Sequence, residues 1–417
     1  MSAVPVLETL LDPQGPHAPA VRALLAREPG APRPARLEHL RYKPDTSVVA
    51  RVVGEPGGQP WWFAAHAPAL ADKAEKIAKR AAESGYPLAA AEVPGHPGLR
   101  LQAGPVGLDK ALFKPLARAG IVDDRGAALG TVLSYNPFRR LVLRRSGGFP
   151  GWPGDSTVVR IWCRVPAAAC LIAPLHAAGV RVLPAEGFTD SGIVQPWAAG
   201  GDLDTALAAP AGAAGGSPAG SAPAPGPLLA DVAAALAGLH AVDLTRPEVR
   251  RAGLPGVDVA GALAAARDGV AAGLPELVGE FDAAVADVRS ALADRESAAA
   301  PVLVHGDFSA DQIVLDAAGA PWIIDLDRMG TAPAGYDLGG FAAVEILRGR
   351  GDEHAASLLA AYRRQPGSAA VTAAQATAWT AFHLLLRVAE PFRDLAPDCR
   401  DRGRERIAAA RRCLADV

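Results

Sequence analysis

The sequence predicts an α+β fold in two lobes, a β-rich half feeding a helix-rich half. Three observations carry this reading. Short runs rich in Val, Ile and Trp, bounded by Gly, Pro and Asp, dominate the chain as far as its Ala/Gly/Pro-rich stretch 209–227. Beyond that stretch the pattern turns strongly helical, as in LLADVAAALAGLHAVDL and PELVGEFDAAVADVRSALADRE. One segment then breaks the helices with strands and a polar loop: VLVHGDFSADQIVLDAAGAPWIIDLDRMG, residues 302–330.

The chain has 417 residues, too many for one ordinary core, so two or three domains are expected. Half of them are apolar and 21% are charged, the composition of a folded protein. A formal net charge of −2 calls for neither nucleic acid nor an anionic membrane. No apolar run reaches membrane-spanning length, and the first 25 residues lack the basic-then-apolar pattern of a signal peptide. A cytoplasmic location is therefore expected. The four cysteines, Cys163, Cys170, Cys399 and Cys413, form no C-x-x-C pair and read as reduced thiols. All six lysines lie between Lys43 and Lys114, so beyond that point a fixed positive charge must be arginine.

Taken in order, residues 1–34 hold short helical patterns, PAVRALLARE the clearer. LEHLRYKPDTSVVARVV reads as strand, turn at Pro44 and Asp45, and strand. WWFAAH is a third strand, with Trp61, Trp62 and Phe63 as core. ADKAEKIAKRAAESG follows as a helix closed by Gly85, with its charges on a solvated face. About 93 residues later the order returns. LSYNPFRRLVLRR repeats the Tyr-x-Pro turn, TVVRIWC the third strand, and AAACLIAPLHAAG the helix, ending at Gly179. Tyr42 matches Tyr135 and Pro44 matches Pro137, which suggests a duplicated unit. VRVLPAEGFTDSGIVQPWAAGGDLDTAL adds two short strands, and 209–227 cannot bury a face and reads as a mobile loop.

In the interrupting segment, the strands IVLD and WIID form a hairpin expected to bring Asp307, Gln312 and Asp325 to one end of adjacent strands. Two carboxylates and an amide oxygen make a hard-oxygen site that suits Mg²⁺. His305-Gly306-Asp307, with Gln312 five residues beyond the Asp and Asp325 eighteen beyond it, resembles the catalytic and metal loops of the aminoglycoside phosphotransferase and choline kinase-like family. GIVQPWAAGGDL is similar to that family's segment between lobes, and Tyr336-Asp337-Leu338 also fits. The resemblance covers roughly residues 130–417. It implies the protein-kinase fold: residues 126–197 as the β-rich lobe, 198–417 as the helical lobe, and 1–125 as an added module like a degenerate small lobe.

Phosphoryl transfer needs clamped phosphates, neutralised charge and an acceptor hydroxyl aimed in line. By resemblance, Asp307 would take the acceptor's proton and His305 would brace the loop. Asp325, with Gln312 and Asp327, would hold Mg²⁺, and Asp337 would cap a helix or anchor the loop. The nucleotide, ATP or GTP, would meet Arg160, Arg139 and Arg140 and the linking residues Val194, Gln195 and Trp197. His240 and His383, on apolar helical faces, read as core histidines.

The pattern departs from the family where its phosphate-gripping Lys should stand. Arg160 occupies that place, and the following helix carries no acid to pair with it. In the first copy the helix has Glu75, but the strand has Ala65 where the Lys would fall. The turn Pro137–Arg140 is expected to cradle phosphates through backbone N–H groups. No G-x-x-x-x-G-K-[ST] occurs. Two readings follow, an ATP-dependent phosphotransferase and a pseudokinase that binds or scaffolds without transfer.

The segment 387–413 carries eight arginines against five acids, which argues against a polycationic aminoglycoside and for an acidic or neutral acceptor. Candidates are a hydroxyl-bearing small molecule or a Ser or Thr of a precursor peptide, as in lanthipeptide or thioamide-peptide biosynthesis. The first copy would then offer surface to a protein partner. The bland alternative is a solvated helix face.

Overall fold

The computed structural model describes residues 23–26, 31–32, 36–43, 46–55, 57–93, 96–208, 225–296 and 300–415. The turn at Pro44 and Asp45, most of the helical pattern before residue 35 and residues 209–224 of the expected loop lie outside them. The chain divides into two compact units. One is drawn from 1–165, 186–197 and 390–400; the other from 166–185, 198–389 and 401–417.

The first unit holds two five-stranded sheets. β1 (Arg36–Lys43), β2 (Ser47–Val53), β3 (Trp61–His66), β4 (Ala89–Val93) and β5 (His96–Pro105) lie in the order 1-2-3-5-4. β6 (Thr131–Asn136), β7 (Arg140–Ser146), β8 (Ser156–Trp162), β9 (Glu186–Thr189) and β10 (Gly192–Pro196) repeat it as 6-7-8-10-9. The register agrees as well as the order. Tyr42 faces Val48 and Val48 faces Ala65; Tyr135 faces Leu141 and Leu141 faces Ile161. At the far end Trp61 faces Pro105 and Thr157 faces Pro196. Counted this way, the residue matching Arg160 is Ala64, one short of the Ala65 expected from spacing, because the breaker before β3 differs in length from the one before β8.

β-branched residues in β2 and β8 put one face of each sheet inside. A single core then joins Trp62, Ala64, Ile77 and Ala81 of the first copy to Tyr135, Leu141, Leu143, Val159 and Ile161 of the second. The Val, Leu and Ile side chains among them each contribute about 1.5–3 kcal/mol when fully buried. The helix Ala71–Ser84 supplies Ile77 and Ala81 to this core and ends at Gly85. The helix expected at 167–179 is shorter, a tight turn at Ala167–Leu171 followed by Ile172–Ala177, and it belongs to the second unit. The stretch 126–197 is thus divided between the units.

The second unit is mainly helical. Helices Gly335–Leu347 and Ala373–Leu386 pack closely because Gly339 carries no side chain: a Cβ there would lie 2.5 Å from Trp379 Cβ and 2.6 Å from the Thr380 backbone nitrogen. Helix Ala373–Leu386 opens with a reciprocal cap between Thr372 and Gln375. Two short ladders complete the unit. β12 (Ile313–Leu315) pairs with β13 (Pro321–Ile323), as expected. β11 (Val302–Val304) pairs with β14 (Gly330–Ala332) instead of joining that hairpin.

Candidate active site

His305, Gly306 and Asp307 follow β11 directly, and pairing of Val304 with Gly330 sets them beside the loop that carries Asp325. Gly306 has φ +86, and a Cβ on it would sit 2.0 Å from the Arg328 carbonyl oxygen, so only glycine lets these two loops touch.

The buried Asp337 holds the first loop by its backbone. One oxygen accepts the His305 N–H at 2.7 Å, and the other accepts that of Gly306 at 3.0 Å. His240 Nε2 donates to the same carboxylate at 3.1 Å, and its Nδ1 lies 2.8 Å from the Tyr362 hydroxyl. Burial alone would raise the Asp337 pKa. The bond from His240 and its charge, with the backbone donor, hold the carboxyl below its ordinary value.

His305 spans two loops. Its Nε2–H donates to the Ile324 carbonyl at 2.7 Å, and its Nδ1 accepts the Asp307 N–H at 3.2 Å. A one-side-chain strut therefore links Asp307 to the residue before Asp325. The hairpin links Asp325 to Gln312 in turn, with Ile324 N–H donating to the Gln312 carbonyl at 3.0 Å. Gln312 and Asp325 thus share one end of a hairpin, while Asp307 reaches them from a different ladder through His305.

Asp325 adopts left-handed backbone angles, φ 60 and ψ 53. Such a conformation costs a non-glycine residue about 1–3 kcal/mol and concentrates at functional sites. Its side chain makes no helix-capping bond to the turn it precedes, Leu326–Arg328, which contains Asp327. Gln312 Nε2 donates to Asp311 at 2.8 Å, so Oε1 is the atom it can offer a cation. Asp311 is itself held by Ser309 and Arg348. Among the described residues no three His, Cys, Asp or Glu side chains gather as a metal cluster. The oxygen set of Asp325, Asp327 and Gln312 suits a hard cation that keeps several waters.

The Asp307 carboxylate meets two arginines: Arg387, the first of the Arg-rich segment 387–413, and Arg328, which the sequence did not single out. Arg387 Nη2 donates to Oδ1 at 3.1 Å, and Arg328 Nη1 lies 3.3 Å from Oδ2. His383 is buried, and burial followed by the nearby Arg387 pushes its pKa down to about 3. Its Nε2–H donates to the Tyr336 carbonyl at 3.0 Å, and its Nδ1 faces Arg387 Nη1 at 3.4 Å. The Arg-rich segment 387–413 and the four-residue spacing of His383 and Arg387 at the end of one helix were the available signals.

The residues expected to meet nucleotide lie in the first unit. Arg160 is buried in the central strand β8, opposite Val142 and Ile193. Val194 and Gln195 pair with Val159 and Val158, and the Trp197 N–H donates to Ser156 at 3.1 Å. Arg144 stacks 4.3 Å from the Trp197 ring.

The turn Pro137–Arg140 does not offer the backbone cradle expected of it. Pro137 has no N–H, the Phe138 N–H goes to Asp109 Oδ2 at 2.7 Å, and the Arg139 N–H goes to Asn136 at 3.0 Å. Asp109 is fully buried, and its other contacts are the Tyr135 hydroxyl and the N–H groups of Ala111 and Leu112. Burial raises its pKa against those bonds. Nothing in the local sequence of Asp109 pointed to this role, since its partners are contributed from 26 and 29 residues away.

A family model for the phosphotransferase enzyme family matches residues 168–414. No curated protein shows a significant match. Among solved structures, the chain is similar to a choline/ethanolamine kinase family protein from Mesorhizobium loti at 17% identity, covering 73% of this chain and 95% of that one with a TM-score of 0.48. It is also similar to a choline kinase from Streptococcus pneumoniae at 10% identity, with 74% and 99% coverage and a TM-score of 0.45. A macrolide 2′-phosphotransferase from Brachybacterium faecium gives 18% identity, 72% and 97% coverage, and a TM-score of 0.42.

Proposed function

Because the chain belongs to the phosphotransferase enzyme family, we propose that it moves the γ-phosphoryl group of ATP or GTP to a hydroxyl group, with Asp307 as the base. The acceptor oxygen attacks the γ-phosphorus and its proton passes to Asp307. The bond from that phosphorus to the bridging oxygen breaks, and the nucleoside diphosphate leaves with the electron pair. The observation that carries this reading is the His305 strut, which fixes the Asp307 loop against the residue preceding Asp325.

Asp325, the Gln312 Oε1 and Asp327 would hold Mg²⁺, whose charge offsets that of the phosphates when bound. Arg160, Arg139 and Arg140 would supply positive charge to the phosphates, and Val194, Gln195 and Trp197 would meet the base. Asp337 holds the His305 and Gly306 backbone that leads into Asp307. No helix among the described residues is long and apolar enough to cross a membrane. Work in the cytoplasm, where ATP is available, belongs to this proposal.

The pseudokinase reading draws on a specific observation, the pairing of both Asp307 oxygens with arginine. One experiment separates the two: melting temperature with Mg–ATP for wild type and Asp325→Ala, followed by an assay of ADP release with candidate acceptors. A ligand at a hundred times its dissociation constant stabilises by about 2.7 kcal/mol. A Mg²⁺-dependent shift lost in the variant, with acceptor-stimulated ADP release, supports transfer. A shift without turnover on any small hydroxyl compound or Ser- and Thr-containing peptide would support the pseudokinase. A peptide acceptor in a precursor-peptide pathway is the finer form of the proposal. It predicts that substituting exposed residues of the first copy, such as Lys76→Glu with Lys79→Glu, weakens peptide binding while the fold is kept.

A further inference from the structure

Asp307 is over-compensated. Its side chain is 32% exposed, and each oxygen faces a guanidinium. Arg387 stands at the end of helix Ala373–Leu386, is only 12% exposed and is aligned by His383. Arg328 is different: its side chain is 69% exposed and its ion pair with Asp307 is long. Exposed pairs of that kind contribute little stability, so Arg328 can exchange partners at low cost. Its position is nonetheless built, because the Arg328 backbone is pressed against Gly306 and leads into the pairing of Gly330 with Val304. The carboxylates on the same loop, Asp325 and Asp327, are those assigned to Mg²⁺.

One carboxylate between two arginines leaves a net positive charge where the acceptor hydroxyl must arrive. A cationic acceptor would meet two guanidinium charges of its own sign. We propose that the acceptor carries an oxyanion, a carboxylate or a phosphate monoester, close to its reacting hydroxyl, and that Arg328 binds it. Arg328 then leaves Asp307 Oδ2 free for the hydroxyl proton while Arg387 keeps Oδ1 in position. A guanidinium fork matches either anion bidentately. Arg328 is in this sense a specificity residue, and the inference rests on Asp307 being the base.

The test uses the full chain saturated with Mg–ADP, and measures further thermal stabilisation by glycerol, choline, glycerate and glycerol 3-phosphate. Glycerate or glycerol 3-phosphate should bind about tenfold more tightly than glycerol or choline. Which of the two anions binds better identifies carboxylate or phosphate as the source. Arg328→Gln should remove the preference and Arg328→Lys should keep part of it, with the Mg–ADP shift unchanged in both. Equal binding of glycerol or choline, an anion preference that survives Arg328→Gln, or no effect of either anion would overturn the proposal. Those results with a normal Mg–ADP shift would leave the nucleotide reading intact. An Arg328-dependent anion effect without any Mg–ADP shift would uphold the anion site and sink the phosphotransfer reading instead.

Discussion

The two sheets of the first unit share strand order and register, yet they treat polar chemistry in opposite ways. In the first copy the helix-facing side holds Trp62 and Ala64 and is sealed in a core shared with the second copy. The Trp62 indole N–H even donates to the Pro105 carbonyl, closing the last strand from within. In the second copy Arg160 stands where Ala64 stands in the first, and Trp162 where His66 stands. The lesson is that topology outlives chemistry. A strand order is held by backbone bonds and apolar contacts, which many side chains satisfy, whereas a phosphate grip depends on single residues.

The comparison can be broken or sharpened by substitution. The proposed function attaches the chemistry to one copy only, so Asp307→Asn should lower turnover by about 10²–10⁴ while the Mg–ATP melting shift persists. Retained turnover would mean that the reacting base lies elsewhere. Ala64→Arg restores the second copy's residue to the first, but it buries an unpaired guanidinium. Denaturant unfolding should show a loss of about 3–5 kcal/mol and no second nucleotide equivalent by titration. Tolerance of that change would show that the first copy's face is open.

Asp109→Ala tests the joint between the copies. It strands the Tyr135 hydroxyl and the Phe138 N–H in the core and should cost about 3 kcal/mol by the same unfolding measurement. Arg160→Ala should weaken Mg–ATP about tenfold by titration calorimetry, with stability little changed. An unaltered affinity would remove Arg160 from the nucleotide site.

The smallest effect concerns pH. Burial, then the charges of Lys110 and Lys73, push His66 from 6.5 down to about 4. As pH falls below 6.5 the unfolded chain takes up a proton that folded His66 refuses until about pH 4, so stability declines across that window. His383, pushed down to about 3, acts in the same direction. Trp162 at the matching position has nothing to titrate, so His66→Phe should flatten part of the decline between pH 6.5 and 4. An unchanged slope in stability against pH would show that His66 is already solvated in the fold.

The local patterns were sufficient for much of this protein. Alternating Val-rich runs and glycine breakers specified β1 to β3 of the first sheet and the strands of the second, and the matched Tyr-x-Pro turns announced the repetition. β4 and β5, with their Ala- and Gly-rich runs, were not read from the sequence. The spacing of His305, Asp307, Gln312 and Asp325 was enough to mark the candidate site, because hairpin geometry and turn chemistry act over a few residues. The tertiary structure decided what lies across longer separations. It paired β11 with β14, handed the Phe138 N–H to Asp109, and brought Arg387 from 80 residues away to face Asp307. Those choices follow from which buried donors find acceptors and which charges meet in the folded chain, and no short window of sequence contains both partners.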